Sequence, residues 1–471
     1  MRTTRLRSSL LLLLLALLAC ARGPILPSAP TALPSPNPTL VPPSATALPP
    51  SATASPPFTP SPTATPSVTP TSTDTPLPTA TPVPTAEIQL RQGAAEVAYV
   101  VPLTVQHLTP NAALVLFQLE SPSPGYLVYR ALPATSSVWM LRPLDAEVAR
   151  HRITLDGLLP DGRYEIQVAL GEELQSLRAP QLAGHPWGPL TVRTPPEGEP
   201  SLRIGVIGDS GFGEEITNAL VARMAQQNLD LVLHTGDLMY RGDEEGDPPL
   251  SYALKHFLPF QSLYSHMPVY AALGNHDLDA ATRWNGEPFY FTAFPGFVDP
   301  ILGEADAQPG RGWYAFTYGS TQFLILNSQV FHGASGRAEH TAWLSARLAD
   351  PRFTATIAVV HVPPFTNGRY ADDGRASRID WVPLFEQAAV PLVLAGHDHN
   401  YQRIQFNGIT YLVSGGGSSV LYGLSGTLPG GQYFARRSHF VILELEGPRI
   451  RISAVDEQGE VFDRAVIEPQ G

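Results

Sequence analysis

Leu231-Val232-Leu233-His234-Thr235-Gly236-Asp237-Leu238-Met239-Tyr240 is an apolar run too short for a helix that stops at a glycine and then presents a carboxylate. Such a run reads as a buried parallel strand with chemistry at its end. The pattern recurs along the second half of the chain. Ile204-Gly205-Val206-Ile207-Gly208 leads into Asp209, and Val269 to Gly274 leads into Asn275-His276-Asp277. Ile357 to Val360 leads into His361, and Leu392 to Gly396 into His397-Asp398-His399. In α/β folds the carboxyl ends of parallel strands line one crevice, so these widely separated side chains are expected to converge there.

Between the strands lie helix-like stretches. Glu214 to Gln226 places Ile216, Leu220, Val221 and Met224 on one face, and Ala338 to Leu348 places Trp343 and Leu344 on another. Strands alternating with such segments imply βαβ units with right-handed crossovers. After His399 the pattern turns to hairpins, one of them marked by Asn407-Gly408. Gly415-Gly416-Gly417 reads as a further hairpin connection.

Acids, imidazoles and an amide at strand ends suit one kind of chemistry well. Hydrolysis of a phosphate ester needs a nucleophile at neutral or acid pH and neutralisation of the phosphoryl oxygens, and two cations roughly 3.5–4 Å apart supply both. Asp237 is the natural bridge, since a carboxylate gives one oxygen to each cation. The other ligands are expected to divide into a harder anionic set and a more neutral set.

The five blocks Asp209-Ser210-Gly211, Gly236-Asp237-Leu238-Met239-Tyr240, Gly274-Asn275-His276-Asp277, Val360-His361-Val362-Pro363-Pro364 and Gly396-His397-Asp398-His399-Asn400-Tyr401-Gln402-Arg403 resemble, in order, the motifs of the calcineurin-like metallophosphoesterases. Most of that superfamily has a histidine two residues after the first aspartate. Here Gly211 stands there, and Tyr240 follows the second aspartate by three. That exchange resembles the purple acid phosphatase branch. The resemblance implies a fold of two mixed β-sheets flanked by helices, an α/β (α+β) sandwich. It implies that Asp209, Tyr240 and His399 hold Fe(III), that Asn275, His361 and His397 hold Zn, Mn or Fe(II), and that Asp237 bridges. It implies that His276, together with Asn275, contacts the phosphate and that His276 protonates the leaving alcohol, with Asp277 orienting it. A metal-bound hydroxide would attack in line. His234 is expected in the core or behind the ligands, and Tyr401 and Arg403 behind the centre. The loop Phe365-Thr366-Asn367-Gly368-Arg369-Tyr370 lacks the histidine the family commonly brings to the substrate, and Arg369 is the candidate to replace it as a phosphate contact. Asp247-Pro248-Pro249 and Asp299 to Gly312 read as insertions at the pocket mouth.

Other readings are weaker. Gly208-Asp209-Ser210 also resembles the nucleophile block of GDSL-type esterases, but the chain has no Asp-x-x-His pair to activate Ser210. Gly208, Gly211 and Gly213 lack the spacing of a dinucleotide loop. A phosphodiesterase or nucleotidase with the same centre, or a surface binding protein that keeps a structural metal site, are the alternatives to a phosphomonoesterase.

The remainder of the chain gives the setting. A formal charge of -12 and a pI near 5.5 argue against a nucleic-acid partner. Residues 1–20 carry Arg2, Arg5 and Arg7, then a leucine run ending in Ala19-Cys20, a signal too short to span a bilayer. Cys20, the chain's 1 cysteine, resembles the acylated residue of a bacterial lipobox. Residues 21–86, dominated by Pro, Ser, Thr and Ala, cannot bury a core and read as a disordered linker. Together they predict an exported lipoprotein held to a membrane only by its lipid, at the cell surface or on the periplasmic side. Residues 87–198 show short period-two runs, Val97 to Val105, Ala113 to Leu119, Tyr126 to Ala131, Ser137 to Leu141, Arg152 to Leu155 and Tyr164 to Leu170, as in an antiparallel sandwich. The turn Gly157 to Tyr164 resembles that of fibronectin type III modules, whose tyrosine hydroxyl bonds back to the backbone. Residues 199–471 form the metallophosphoesterase domain on this reading, and its substrate is a small phosphate ester.

Overall fold

The computed structural model describes residues 83–199, 201–240, 246–297, 299, 302–303 and 310–469. The signal segment, Cys20 and the linker up to residue 82 lie outside the described residues. No helix among the described residues is long and apolar enough to cross a membrane.

The first strands form two five-stranded sheets. One runs Thr85–Glu87, Val138–Pro143, Gly125–Leu132, Arg163–Leu170, Leu190–Arg193, and the other Arg150–Asp156, Ala112–Leu119, Tyr99–Thr109, Gln181–Leu182, His185–Pro186. Every pairing is antiparallel except the single parallel bridge of Tyr99 with Leu182. The two inner faces meet in one apolar cluster that includes Val101, Phe117, Leu127, Ile166 and Val192. The strand Thr85–Glu87 crosses the expected boundary at residue 87, with Thr85 and Ala86 pairing with Met140 and Trp139. The Tyr164 hydroxyl accepts the Leu159 N–H at 2.7 Å, which closes the turn as expected.

The second half holds two mixed sheets. In the six-stranded sheet Leu202–Ile207, Leu231–His234 and Val269–Ala271 run parallel, and the three C-terminal strands His439–Glu446, Arg449–Asp456 and Val461–Ile467 extend it antiparallel. In the seven-stranded sheet Thr321–Ile325, Ala355–Val359, Leu392–Ala395 and Ile409–Ser414 run parallel between antiparallel edges. Strand alternation assigns each residue to a layer. Ile204, Val206, Leu231, Leu233, Ile357, Val359, Leu392 and Leu394 point into the core between the sheets. Ala358, Val360, Val393 and Ala395 point the other way, onto Leu344 of the helix Arg337–Leu348 and onto Trp381 and Phe385. The helix Glu215–Met224 covers the outer face of the first sheet with Leu220, Val221 and Met224. Thr217, rather than the expected Ile216, completes its buried face, because its hydroxyl donates to the Gly417 carbonyl at 2.7 Å.

Several contacts tie the halves together. Trp187 donates its indole N–H to Leu103 O at 2.8 Å and sets its ring edge-on to Phe257. His107 bonds the Tyr270 hydroxyl at 2.9 Å, stacks on Phe297 and lies 3.4 Å from the Asp299 carboxylate. Asp299 also accepts from the Thr317 N–H and hydroxyl, so it supports packing; residues 300–301 and 304–309 of the expected insertion lie outside the described residues. Asp247 caps the short helix Pro248–Tyr252 through the Leu250 N–H at 3.0 Å and likewise does not line the pocket. Tyr401 and Arg403, expected behind the centre, both bond Asp463 instead and pin the two mixed sheets to each other.

Candidate metal centre

Five strands and the turns after them deliver the site, the one before Asn275 being Val269–Ala271. Asp209 follows Leu202–Ile207, Asp237 follows Leu231–His234, His361 follows Ala355–Val359, and His397 and His399 follow Leu392–Ala395. Asp209, Asp237 and His397 adopt left-handed backbone conformations, with φ of 58°, 55° and 69°. A side chain pays strain to sit there, and three such residues side by side mark a surrounding structure that over-determines them. Asn275 and His276 sit on a turn drawn tight against this group. A Cβ on Gly274 would meet the Asp237 carboxylate oxygen at 2.1 Å, so only glycine lets the two segments close.

The side chains meet as the sequence predicted. Asp209, Asp237 and His361 place one donor atom each within 4.8 Å of one another. The Tyr240 hydroxyl lies 3.1 Å from Asp209 Oδ1 and 2.9 Å from His399 Nε2. His361 Nε2 lies 3.0 Å from Asn275 Oδ1, 3.2 Å from His397 Nδ1 and 3.4 Å from Asp237 Oδ1. The groups divide around Asp237 into an anionic side, Asp209, Tyr240 and His399, and a neutral side, Asn275, His361 and His397.

Each imidazole has its far nitrogen engaged, which decides what the near one offers. His361 Nδ1 faces the Thr235 carbonyl at 2.9 Å and His399 Nδ1 the Val420 carbonyl at 2.7 Å, so both donate there and turn a lone pair on Nε2 inward. His397 is turned the other way, with Nε2 at 3.0 Å from Asp373 and Nδ1 inward. Lone pairs of imidazole, amide and carboxylate therefore face one another at hydrogen-bonding distance. Such an arrangement is repulsive unless protons or cations lie between the groups, and the donor set fits a pair of cations. Without a cation, a proton takes that place at His361: burial opposes charging the imidazole, yet Asp237 and Asp209 outweigh it and hold it up at about 9. Burial and the two carboxylates keep the Tyr240 phenol protonated far above its ordinary range, so only a cation would make it a phenolate.

The neighbouring side chains lie partly where expected. His276 lies at the lip of a cavity of about 300 Å³ whose floor includes Asp237, Asn275, His397 and His399. Asp277 does not orient it. That carboxylate is fully buried and accepts from the Asp237, Leu238 and Gly274 N–H groups at 3.2, 3.1 and 2.9 Å and from the Tyr252 hydroxyl at 3.0 Å. Burial, then the Asp237 charge, pushes it up to about 7. The carboxylate that holds His276 is Asp279, 2.8 Å from Nδ1. Arg369 does not line the cavity. Its guanidinium lies over the rings of Tyr370 and Tyr422, at 5.4 and 5.6 Å, and those rings form the cavity wall.

Sequence reasoning missed that wall. Tyr422 stacks on His399 at 4.4 Å, Tyr370 lies 4.6 Å from the His397 ring, and Gln329 and His332 enter from the turn Ser328–Phe331. It also missed Phe212, stacked 3.9 Å from Tyr240. Gln329 follows the strand Thr321–Ile325 by four residues, but that strand end carries no acid or imidazole to mark it, and Tyr370 and Tyr422 follow no strand end closely. Gly415 to Gly417 do not form a hairpin connection either. They pass beside the centre, where Gly417 N–H donates to Gly208 O at 2.9 Å. His234 is core, as expected, bonded to Ser210 at 2.8 Å. Both are fully buried, which shuts Ser210 off from any acyl substrate.

Comparisons with known proteins place this geometry. Residues 202–401 match the family model described as calcineurin-like phosphoesterase. An uncharacterised protein of Mycobacterium tuberculosis is 28% identical over 258 residues, 45% of either chain. Purple acid phosphatase 1 of Ipomoea batatas is 26% identical over 261 residues, 54% of this chain and 51% of that one. The chain thus spans about half the length of the curated relatives it matches. The purple acid phosphatase from yellow lupin (Lupinus luteus) seeds superimposes with a TM-score of 0.59 at 17% identity, over 79% of this chain and 74% of that one, which establishes a common fold.

Proposed function

We propose that this chain, which carries a calcineurin-like phosphoesterase domain and has purple acid phosphatase homologues, is a metal-dependent hydrolase of phosphomonoesters. The observation that carries the reading is the inward-facing set of seven donors split by Asp237 into an anionic and a neutral half. Asp209, Tyr240 and His399 would hold one cation, which hard anionic donors suit to Fe(III), and Asn275, His361 and His397 a second, suited to Zn, Mn or Fe(II). When bound, such a pair supplies Lewis acidity toward phosphoryl oxygens and a nucleophilic water at neutral pH. The protein supplies the rest. Asp237 is kept in register by the His276 N–H on its Oδ1 at 3.0 Å. His276, at the lip and held by Asp279, is placed to give its proton to the departing alcohol. Tyr370, Tyr422 and Val362 present apolar surface to the alcohol and limit water around it.

The test is turnover of p-nitrophenyl phosphate by metal-loaded full chain. His276→Ala is expected to lower kcat about 10²- to 10⁴-fold, and Asp237→Asn to abolish turnover. Bis-p-nitrophenyl phosphate, run alongside, separates monoester from diester preference. Absence of turnover in the loaded wild type sinks the reading. The same reading includes a fibronectin III-like N-terminal module and export as a lipoprotein through Cys20, which the mass of the mature N-terminal peptide tests directly.

A further inference from the structure

Among the three imidazoles of the centre, His397 alone is held by a carboxylate. Asp373 Oδ2 lies 3.0 Å from His397 Nε2, whereas His361 and His399 are held by backbone carbonyls. The segment that presents Asp373 is firmly placed. Its own N–H donates to Tyr370 O at 3.1 Å, and Arg378 donates to Ala371 O at 3.1 Å and Pro364 O at 2.6 Å. A Cβ on the neighbouring Gly374 would meet Pro363 O at 2.1 Å, so the turn lies flush on the segment that follows His361. His397 is fixed from the backbone side as well, its N–H donating to both Asp209 oxygens at 3.0 Å.

Resting on the metal-centre reading above, we propose that Asp373 is a positioning residue that strengthens cation binding at the Asn275, His361 and His397 side. Two physical effects lead there. A carboxylate on Nε2 fixes the proton on that nitrogen, which leaves Nδ1 as the ligand atom and aims it at the point His361 Nε2 and Asn275 Oδ1 also face. It also supplies charge. Asn275, His361 and His397 are all neutral ligands, and Asp237 is shared with the other side, so Asp373 is the anion that raises the basicity of a ligand belonging to this side alone. Loss of a partner of this kind lowers metal affinity by roughly 10- to 100-fold. The side chain is 41% exposed, so its removal leaves no buried cavity and the effect is read on the ion and not on the fold.

The experiment uses the full chain, stripped and reloaded with Fe(III) and Zn(II), titrated against a competing chelator, with the content of both metals measured after dialysis. Wild type is expected to retain two equivalents. Asp373→Ala is expected to lose one of them at about 10- to 100-fold lower chelator strength. Asp373→Asn, which keeps an acceptor oxygen but no charge, is expected to fall between them, and Asp373→Glu to recover part of the loss. Unfolding of the stripped proteins is followed in parallel and is expected to be unchanged. If wild type and Asp373→Ala hold two equivalents with the same affinity, the role of Asp373 is overturned and the centre stands. If wild type itself binds fewer than two, the two-cation reading falls, and this inference with it.

Discussion

Gly211 stands where a histidine is usual in the superfamily, and replacing it tests whether Tyr240 serves in that histidine's stead. Gly211 N–H donates to Asp237 O at 3.3 Å, and Tyr240 N–H donates to Gly211 O at 3.0 Å, so the two ligand-bearing segments are bonded directly to each other. A Cβ at 211 would lie 2.4 Å from Met239 N and 2.5 Å from Leu238 C. These are backbone atoms that cannot rotate away, so the segments must part by about 1 Å to restore ordinary contact. Two backbone hydrogen bonds at about 1 kcal/mol each and overpacking of about 1–3 kcal/mol give a destabilisation of roughly 3–5 kcal/mol for Gly211→Ala. The same displacement carries the Tyr240 hydroxyl away from Asp209 and His399, and a misplacement of about 1 Å costs on the order of 10²-fold in rate. Urea unfolding of the full chain reads the first quantity, and p-nitrophenyl phosphate turnover with a visible spectrum of the iron-loaded protein reads the second. Gly211→His is expected to behave worse than alanine and not to substitute for Tyr240. A Gly211→Ala protein within about 0.5 kcal/mol of wild type and fully active would refute the coupling of glycine to tyrosine.

Asp277 and Asp279 should separate cleanly. Asp277→Ala orphans buried N–H groups at about 1–3 kcal/mol apiece and is expected to unfold the chain, whereas Asp279→Ala should fold normally and lose about tenfold in kcat, measured by circular dichroism and by pH-rate profiles. Tyr164→Phe removes the acceptor for Leu159 N–H and should cost about 1–3 kcal/mol in urea unfolding with turnover unchanged; an equal loss of activity would contradict its placement in the N-terminal sheets. Burial pushes His340 down to about 3 and His439 down to about 4. Both lie below the unfolded value of 6.5, so their contribution is complete above that pH and is lost as pH falls through the window toward the folded values. Each adds a slope approaching about 1.4 kcal/mol per pH unit. The midpoint of thermal unfolding of the chelated chain should therefore drop steadily below pH 6.5 and drop less in His340→Phe, and a flat profile from pH 7 to 4 would exclude the effect.

The convergence of the candidate ligands was legible because strand ends in an α/β sheet are both readable and convergent. Asp209, Asp237, Asn275, His361, His397 and His399 follow short apolar runs, and periodicity alone places such residues. Tyr240 was legible by exchange with Gly211. What stayed hidden depends on loops whose path no period describes. Asp373 and Tyr422 reach the cavity from segments that carry no alternation, and Asp279, two residues beyond Asp277, holds His276 because the path of a tight turn decides which carboxylate faces it. Tyr401 and Arg403 misled for a related reason. They follow the last ligands closely in sequence, but the strand Tyr401–Phe406 carries them away from the centre toward Asp463.

The family match begins at residue 202, which invites excising the C-terminal part for study. Doing so would strip Trp187 from Phe257 and Tyr264, and His107 from Tyr270, Phe297 and Phe316. The bared rings form an adhesive patch on the fragment, of the kind that drives precipitation during expression. Tyr270 belongs to the strand Val269–Ala271, which leads into Asn275, so the damage would also loosen the segment bearing a candidate ligand. A soluble, working reagent from this chain should retain everything from Val83 onward.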